Sequence, residues 1–265
     1  MSRFIDRLNQ VSQAAPQTIG FRTTQPASVR PKMQLVANVD EDNIDSLADY
    51  VTGADAGLLR ISKFGSDVKT LKKIPKAMSK IPWGGWLGDS AQGKIKQMIK
   101  FGCDFVVFPA ASTSLAVPQD DEVGKILQVE ASLSEGLLRA VNELPVDAVL
   151  VADEKEGKYS LTWHHLMLFQ RFADLLTKPL LVSIPPNTTA NELQVLWEAG
   201  VDGVVAEAGT GKRAEELKRL RKVIDGLSFP SLRKQEKGEV LLPHIGRKSE
   251  TVVESEGEEE EESVE

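Results

Sequence analysis

MQLVANV, residues 33–39, is a short run that is apolar almost throughout, without the regular alternation of polar and apolar residues seen in half-solvated strands. Seven similar runs follow it, each leading into a helix-like stretch: 57–62, 81–87, 104–109, 125–130, 146–152, 179–184 and 201–206. Apolar strands that alternate with helices indicate a parallel sheet covered on both faces. Eight such units close into a (β/α)8 barrel, so we predict an α/β fold of the TIM-barrel type.

An open, doubly wound sheet is the rival architecture. Such sheets usually have about five or six strands and a glycine-rich turn after the first one. Here the first run is followed by Asp40 and Glu41 and has no glycine, which favours the barrel. The run at 81–87 departs most from the strand pattern, because the two glycines of WGGW (residues 83–86) weaken strand propensity.

The sequence divides into three parts. Residues 1–32 predict a short N-terminal helix, with Phe4, Ile5, Leu8 and Val11 on one face, that caps the bottom of the barrel and precedes a crossing segment. Residues 33–228 are predicted to form the barrel. Residues 229–265 continue no repeat and end in a glutamate-rich stretch, so we expect a tail that is acidic and disordered at its end.

The net charge of −7 comes from one end of the chain, because residues 250–265 hold nine glutamates and no lysine or arginine. The other residues include 30 acidic and 32 basic side chains, so the body is close to neutral. Nucleic-acid-binding surfaces combine basic patches with aromatic side chains, and aromatic residues make up only 6% of this chain. We therefore expect no nucleic-acid partner.

The lengths of the apolar runs and the number of cysteines indicate in which cellular compartment the protein is located. No run reaches the roughly 18 apolar residues of a membrane-spanning helix. The single cysteine, Cys103, precedes a strand, is expected in the core, and excludes a disulfide within one chain. Together these features predict a cytoplasmic protein without membrane contact.

In a (β/α)8 barrel the functional groups lie at the C-terminal ends of the strands. The candidate ligand contacts at these ends are Asn38, Trp86, Ser183 and Glu207, and the candidate catalytic groups are Glu130, Asp153 and Lys63. Carboxylates that converge can raise one another's pKa and act as general acid and base, or hold a hard cation. Glu130 and Asp153 are therefore predicted for acid–base work, and Lys63 for charge stabilisation or imine formation. The alternative to a functional role for the acidic residues is a structural one, in which they cap the helices that follow them.

The eighth unit carries the most specific motif. Residues 193–212, LQVLWEAGVDGVVAEAGTGK, combine a helix ending in Ala-Gly, a strand and a turn with two glycines. In this stretch the chain resembles the phosphate-binding (β/α)8 superfamily, without pointing to a specific family within it. The resemblance implies that the loops after strands 7 and 8 hold the phosphate of a ligand. Gly209, Gly211 and Lys212 are then the residues expected at the anion, where glycine allows close approach and a helix N-terminus offers amide hydrogens.

The sequence thus predicts a barrel that binds a small, phosphorylated molecule at its strand C-termini, either as an enzyme acting on that metabolite or with a flavin-like cofactor. The alternative is a non-catalytic barrel that serves in binding or assembly. Pro185 and Pro186 favour it, because they remove amide donors from the loop after strand 7. The cofactor stays open, with flavin mononucleotide and a divalent cation as candidates. No metal-ligand set is predicted, and a homo-oligomer stays open.

Overall fold

Eight parallel strands close into a barrel in the computed structural model of this chain, in sequence order from β1 to β8. The structure describes residues 2–13, 32–40, 47–60, 74–75, 78, 80–87, 95–115, 122–152, 160–209 and 211–228. The barrel lies within the unit Met1–Gln235, and the second unit, Glu236–Glu265, lies outside the described residues. The predicted TIM-barrel fold is confirmed, and the expectation of a disordered tail at 229–265 falls outside the described ranges.

Each of the eight predicted runs overlaps one strand, with bounds that differ by a few residues. The strands are β1 Gln34–Asp40, β2 Ala56–Arg60, β3 Trp83–Trp86, β4 Phe105–Pro109, β5 Gly124–Val129, β6 Ala148–Val151, β7 Leu180–Ile184 and β8 Gly203–Glu207. The described helices are α1 Arg3–Ser12, α2 Leu47–Tyr50, α3 Ile95–Lys100, α4 Glu135–Val141, α5 Trp163–Leu175, α6 Ala190–Glu198 and α7 Lys212–Gly226. None of these helices is both long enough and apolar enough to cross a membrane.

Side chains on the two faces of the strands enter two separate apolar clusters. Outward residues such as Leu35, Val106 and Val149 pack in the layer between the strands and the helices. Inward residues such as Val36 and Ile126 fill the barrel and pack with α1. Because both faces are buried, the strands are apolar throughout, which explains the unbroken apolar runs of the sequence.

Helix α1 closes the N-terminal end of the barrel. Phe4, Ile5 and Leu8 belong to the inner cluster, and the ring centroids of Phe4 and Phe105 lie 4.7 Å apart. The carboxylate of Asp104, just before β4, accepts hydrogen bonds from Ser2 Oγ at 2.7 Å and from the Phe4 amide at 2.9 Å. The first turn of α1 is thereby fixed by a charge-assisted contact that also satisfies a free helix donor.

Strand β3 forms despite its two central glycines because its flanking residues are packed from both sides. Trp83 points outward into the layer beneath the helices, whereas Trp86 packs against the inner cluster. The ring of Phe105 occupies the space that a Cβ atom of Gly84 would need. Glycine is therefore required here by the close approach of an aromatic ring, which outweighs its low strand propensity.

The position of Cys103 leads to a test of the core. Its side chain is buried as a free thiol, and burial raises its pKa to about 12. Since the thiolate is the reactive form, we expect alkylation of the native protein at pH 8 to be on the order of a thousandfold slower than that of the urea-unfolded chain. Mass-spectrometric counting of modified protein over time measures both rates. Native and unfolded rates within tenfold of each other would contradict this burial.

Candidate ligand-binding site

The C-terminal ends of the strands turn polar on the inner face of the barrel. Side chains alternate between the two faces of a strand, so residues two positions beyond an inward residue also face inward. The inner cluster shows that five residues face inward, one on each of five strands: Val36, Leu58, Ile126, Leu181 and Val205. The polar inward residues that follow on the strands are therefore Asn38 on β1, Arg60 on β2, Gln128 on β5, Ser183 on β7 and Glu207 on β8.

Strand register sets the height of each inward residue along the barrel axis. When the paired residues are followed from strand to strand through β2, β3 and β4, Asn38 on β1 is connected to Gly124 on β5. When they are followed the other way around the barrel, through β8, β7 and β6, Gln34 on β1 is connected to Gln128 on β5. This stagger is that of a (β/α)8 barrel, in which alternate strands contribute four side chains to each layer. Asn38 and Gln128 therefore lie in the same layer on opposite sides of the barrel.

Beyond Gln34 and Gly124 at the N-terminal end of the barrel, the inward residues form five layers toward the C-terminal end. Three apolar layers come first: Ala56, Phe105, Ala148 and Gly203; then Val36, Gly84, Ile126 and Leu181; then Leu58, Val107, Leu150 and Val205. We call the fourth the polar layer: Asn38, Trp86, Gln128 and Ser183. We call the fifth the rim: Arg60, Pro109, Ala152 and Glu207. The apolar layers form the floor of a site whose polar groups lie in the polar layer and the rim.

Two amide oxygens of the polar layer are buried without a partner. Asn38 Oδ1 and Gln128 Oε1 accept no hydrogen bond within the part of the chain that the structure describes. Above them, the guanidinium carbon of Arg60 lies 4.7 Å from the centroid of a Trp86 ring. This distance is typical of a cation–π contact. The polar layer and the rim thus combine hydrogen-bond acceptors, an aromatic wall and a positive charge.

The turn between β8 and α7 borders the rim. Glu207 at the end of β8 forms an ion pair with Arg213, with Nη2 and Oε2 3.4 Å apart. Gly209 is buried, Gly211 precedes α7 with a φ of 60°, and Lys212 is exposed as the first residue of the helix. Gly211, the N-cap residue, has no side chain to accept an amide hydrogen of the first turn, and helix N-termini of this kind are suited to bind an anion.

The loop after β7 is held in place by hydrogen bonds that its backbone carbonyl groups accept. Pro185 O accepts hydrogen bonds from Thr188 Oγ1 at 2.6 Å and from the Thr188 amide at 3.1 Å. Arg219 in α7 donates to Pro186 O at 3.1 Å and to Thr188 O at 2.9 Å. The loop is therefore fixed next to the rim, but its two prolines contribute no amide hydrogens to a ligand.

The catalytic candidates are only partly described. Glu130 is exposed directly after β5 and accepts a hydrogen bond from Ser132 Oγ at 3.1 Å. Arg171 in α5 fixes this loop by donating to Ala131 O at 3.0 Å and to Leu133 O at 3.1 Å. Asp153 and Lys63 lie outside the described residues, so the geometry of this set stays a prediction. Among the described residues, no three His, Cys, Asp or Glu side chains come together in a way that could hold a metal ion.

Sequence reasoning did not select Arg60 or Gln128, although both face the same interior as Asn38, Trp86, Ser183 and Glu207. Gln128 stands inside an apolar run, and Arg60 near the end of one, and neither precedes a helix as a capping residue would. A signal was present: a polar residue within a run that is otherwise buried on both faces needs a reason to be there. Sequence alone could not say that both reach the same interior.

Comparisons with known proteins support the fold. No protein-family model and no curated protein matches the chain. A mutant tryptophan synthase alpha subunit from the hyperthermophile Pyrococcus furiosus is similar in structure, with a TM-score of 0.60, 10% identity, and coverage of 74% of this chain and 99% of that one. Tryptophan synthase from M. tuberculosis in its open form gives a TM-score of 0.56, 12% identity, and coverage of 73% and 93%. At such identities the likeness establishes the TIM-barrel fold.

Proposed function

We propose that this protein binds a phosphorylated small molecule at the C-terminal mouth of its barrel. The observation that carries the proposal is the change in the barrel interior, from three apolar layers to a polar layer and a rim with Arg60 and Glu207. Ligand sites are mostly apolar concavities with a few placed polar groups, and in this fold they lie at the C-terminal face. The polar layer and the rim supply such groups on that face.

The phosphate is assigned to the turn between β8 and α7. Gly209 and Gly211 permit close approach of the backbone, the N-terminus of α7 offers amide hydrogens, and exposed Lys212 adds a positive charge. The carboxylate of Glu207 would repel an anion, but its pairing with Arg213 offsets that charge. The likeness to tryptophan synthase, an enzyme by its name, agrees with a small-molecule site without identifying a reaction.

If the bound molecule is also transformed, Glu130 and Asp153 are the proposed acid and base, and Lys63 the group for charge stabilisation or imine formation. Asn38, Trp86, Ser183 and Glu207 remain the proposed ligand contacts, to which the inner face of the barrel adds Arg60 and Gln128. Flavin mononucleotide and a divalent cation stay candidates for a cofactor. A cytoplasmic location is part of the same proposal, and a homo-oligomer stays open.

A non-catalytic barrel for binding or assembly is the second candidate, and an exposed apolar surface favours it. Trp163 and Met167 on α5 have 79% and 68% of their surface exposed. Trp163 borders two clefts, of about 240 Å³ towards α6 and about 590 Å³ on its other side. Large apolar side chains in such a position are typical of protein contacts. This surface lies in the helix layer, outside the strands of the barrel.

Spectroscopy and thermal shifts separate the two candidates. The purified protein is examined for visible flavin absorbance and then heated with inorganic phosphate, flavin mononucleotide or sugar phosphates. A ligand present at 100 times its Kd is expected to raise Tm by about 5–10 °C. An uncoloured protein whose Tm responds to none of these compounds would overturn the phosphate proposal and favour the assembly barrel.

Reversing the charge of Lys212 tests the phosphate assignment. Lys212→Glu is expected to weaken binding of inorganic phosphate about tenfold, because a carboxylate replaces the ammonium group beside the helix N-terminus. A negative charge in the first turn of a helix does not destabilise it, so Tm without ligand should not fall. Isothermal titration calorimetry measures the affinity. Lys222→Glu, exposed in the same helix near its C-terminal end, is the matched control and should bind as the wild type does. Equal losses in both variants would contradict the assignment.

A further inference from the structure

The two buried amide oxygens of the polar layer place a chemical requirement on any molecule that enters the barrel. Asn38 Oδ1 and Gln128 Oε1 have no hydrogen-bond partner in the described part of the chain. A buried acceptor that loses water without gaining a donor destabilises the fold, and native proteins contain few such atoms. Both oxygens belong to the same layer on opposite strands, so both reach toward the barrel axis.

The surroundings restrict what can satisfy these oxygens. Below them lies the apolar layer of Leu58, Val107, Leu150 and Val205, which offers no polar group. Above them, the guanidinium group of Arg60 stacks on Trp86 and brings a positive charge to the rim. Two acceptor oxygens disfavour an anionic group between them, and the apolar floor makes burial of any unpaired charge costly. A neutral group that donates hydrogen bonds fits both conditions.

We propose that the ligand enters the barrel with a neutral, donor-bearing end, a hydroxyl or an amide N–H, which is held between Asn38 and Gln128. This inference rests on the proposed function, since the phosphate is taken to lie at the turn before α7. It makes Asn38 and Gln128 the residues that select among phosphorylated compounds. An isosteric alkyl group would leave both oxygens buried and unpaired, and sites built to hydrogen-bond a ligand reject such analogues strongly.

Matched phosphate esters test the selection by calorimetry. Glycerol 3-phosphate supplies hydroxyl donors, 2-phosphoglycolamide supplies amide donors, propyl phosphate supplies neither, and 2-phosphoglycolate carries a carboxylate. At least one of the first two is expected to bind the wild-type protein tenfold or more tightly than propyl phosphate and 2-phosphoglycolate do, and which of them does so identifies the donor. In Asn38→Leu and in Gln128→Met, this preference should shrink to less than threefold.

The outcomes distinguish this inference from the proposed function. If propyl phosphate or 2-phosphoglycolate binds as tightly as both donor-bearing esters, the neutral-donor inference is wrong although the phosphate site stands. If no ester and no inorganic phosphate binds, the proposed function fails and the phosphorylated ligand is lost with it. The thermal stability of the ligand-free protein then tests separately whether the Gln128 oxygen is buried without a donor. Gln128→Met is then expected to raise Tm by about 2–4 °C, because it removes an unpaired buried acceptor. Gln97→Met, at an exposed position of α3, is the control and should leave Tm unchanged. A fall in Tm for Gln128→Met would show that this amide supports the fold and would overturn the inference.

Discussion

Phe4→Ala is expected to lower the free energy of unfolding by about 3–5 kcal/mol. Phe4 is fully buried, and its ring packs in the barrel interior with the ring of Phe105 at a centroid distance of 4.7 Å. Removing the ring leaves a cavity at the junction of α1 and the barrel, where the strands cannot close in because each is fixed by two neighbours. Since domains are stable by about 5–15 kcal/mol, this single change should consume a large share of the total.

Urea denaturation followed by tryptophan fluorescence measures this loss. The midpoint should fall while the dependence on urea stays unchanged, as expected when stability alone is altered. Phe4→Leu keeps an apolar side chain and should cost less than half as much. Leu137→Ala removes a side chain that is 56% exposed and should change stability by less than about 0.5 kcal/mol. A loss of less than 1 kcal/mol for Phe4→Ala would mean that α1 does not close the barrel in solution.

Trp83→Ala is expected to cost about 3–5 kcal/mol, whereas Trp86→Ala should cost clearly less. Trp83 is only 3% exposed and packs beneath the helices, while Trp86 is partly exposed in the polar layer. The two tryptophans of this short strand therefore have different roles. The first fills the outer core, and the second forms a wall of the proposed ligand site beside Arg60.

The pair also provides its own control, because both substitutions remove the same atoms from the same strand. Stability is measured by urea denaturation, and binding of glycerol 3-phosphate by calorimetry. Trp86→Ala should weaken binding more than it weakens the fold, and Trp83→Ala, if folded, should bind normally. A Trp86→Ala variant that loses as much stability as Trp83→Ala would remove Trp86 from the proposed site and return it to the core.

The N-terminal face and the outer core followed from the sequence to a large degree. The face of Phe4, Ile5, Leu8 and Val11 was evident from helical spacing, and all four side chains are buried. Cys103 was expected in the core and lies there. The contact of Asp104 with the first turn of α1 could not be foreseen, because the two segments are about a hundred residues apart and neither carries a signal for the other.

The residues that line the C-terminal mouth of the barrel were harder to predict than the strands and the core. Asn38, Trp86, Ser183 and Glu207 were selected because they end apolar runs, and all four share the inner face. Arg60 and Gln128 share it too, but a strand buried on both sides shows no alternation that would reveal which residues point inward. The pairing of Glu207 with Arg213 depends on how α7 leaves the barrel, which a linear pattern does not encode.

The sequence by itself determined that eight apolar strands alternate with helices, and hence that the chain forms a (β/α)8 barrel with function expected at its C-terminal face. A strand that is buried on both faces is apolar throughout, so each run of the sequence indicates its own strand without reference to the other runs. Only the tertiary structure decided which side chains meet. Asn38 and Gln128 share a layer because the register between neighbouring strands adds up around the closed barrel. That stagger is set by all eight strands together and by no single one of them.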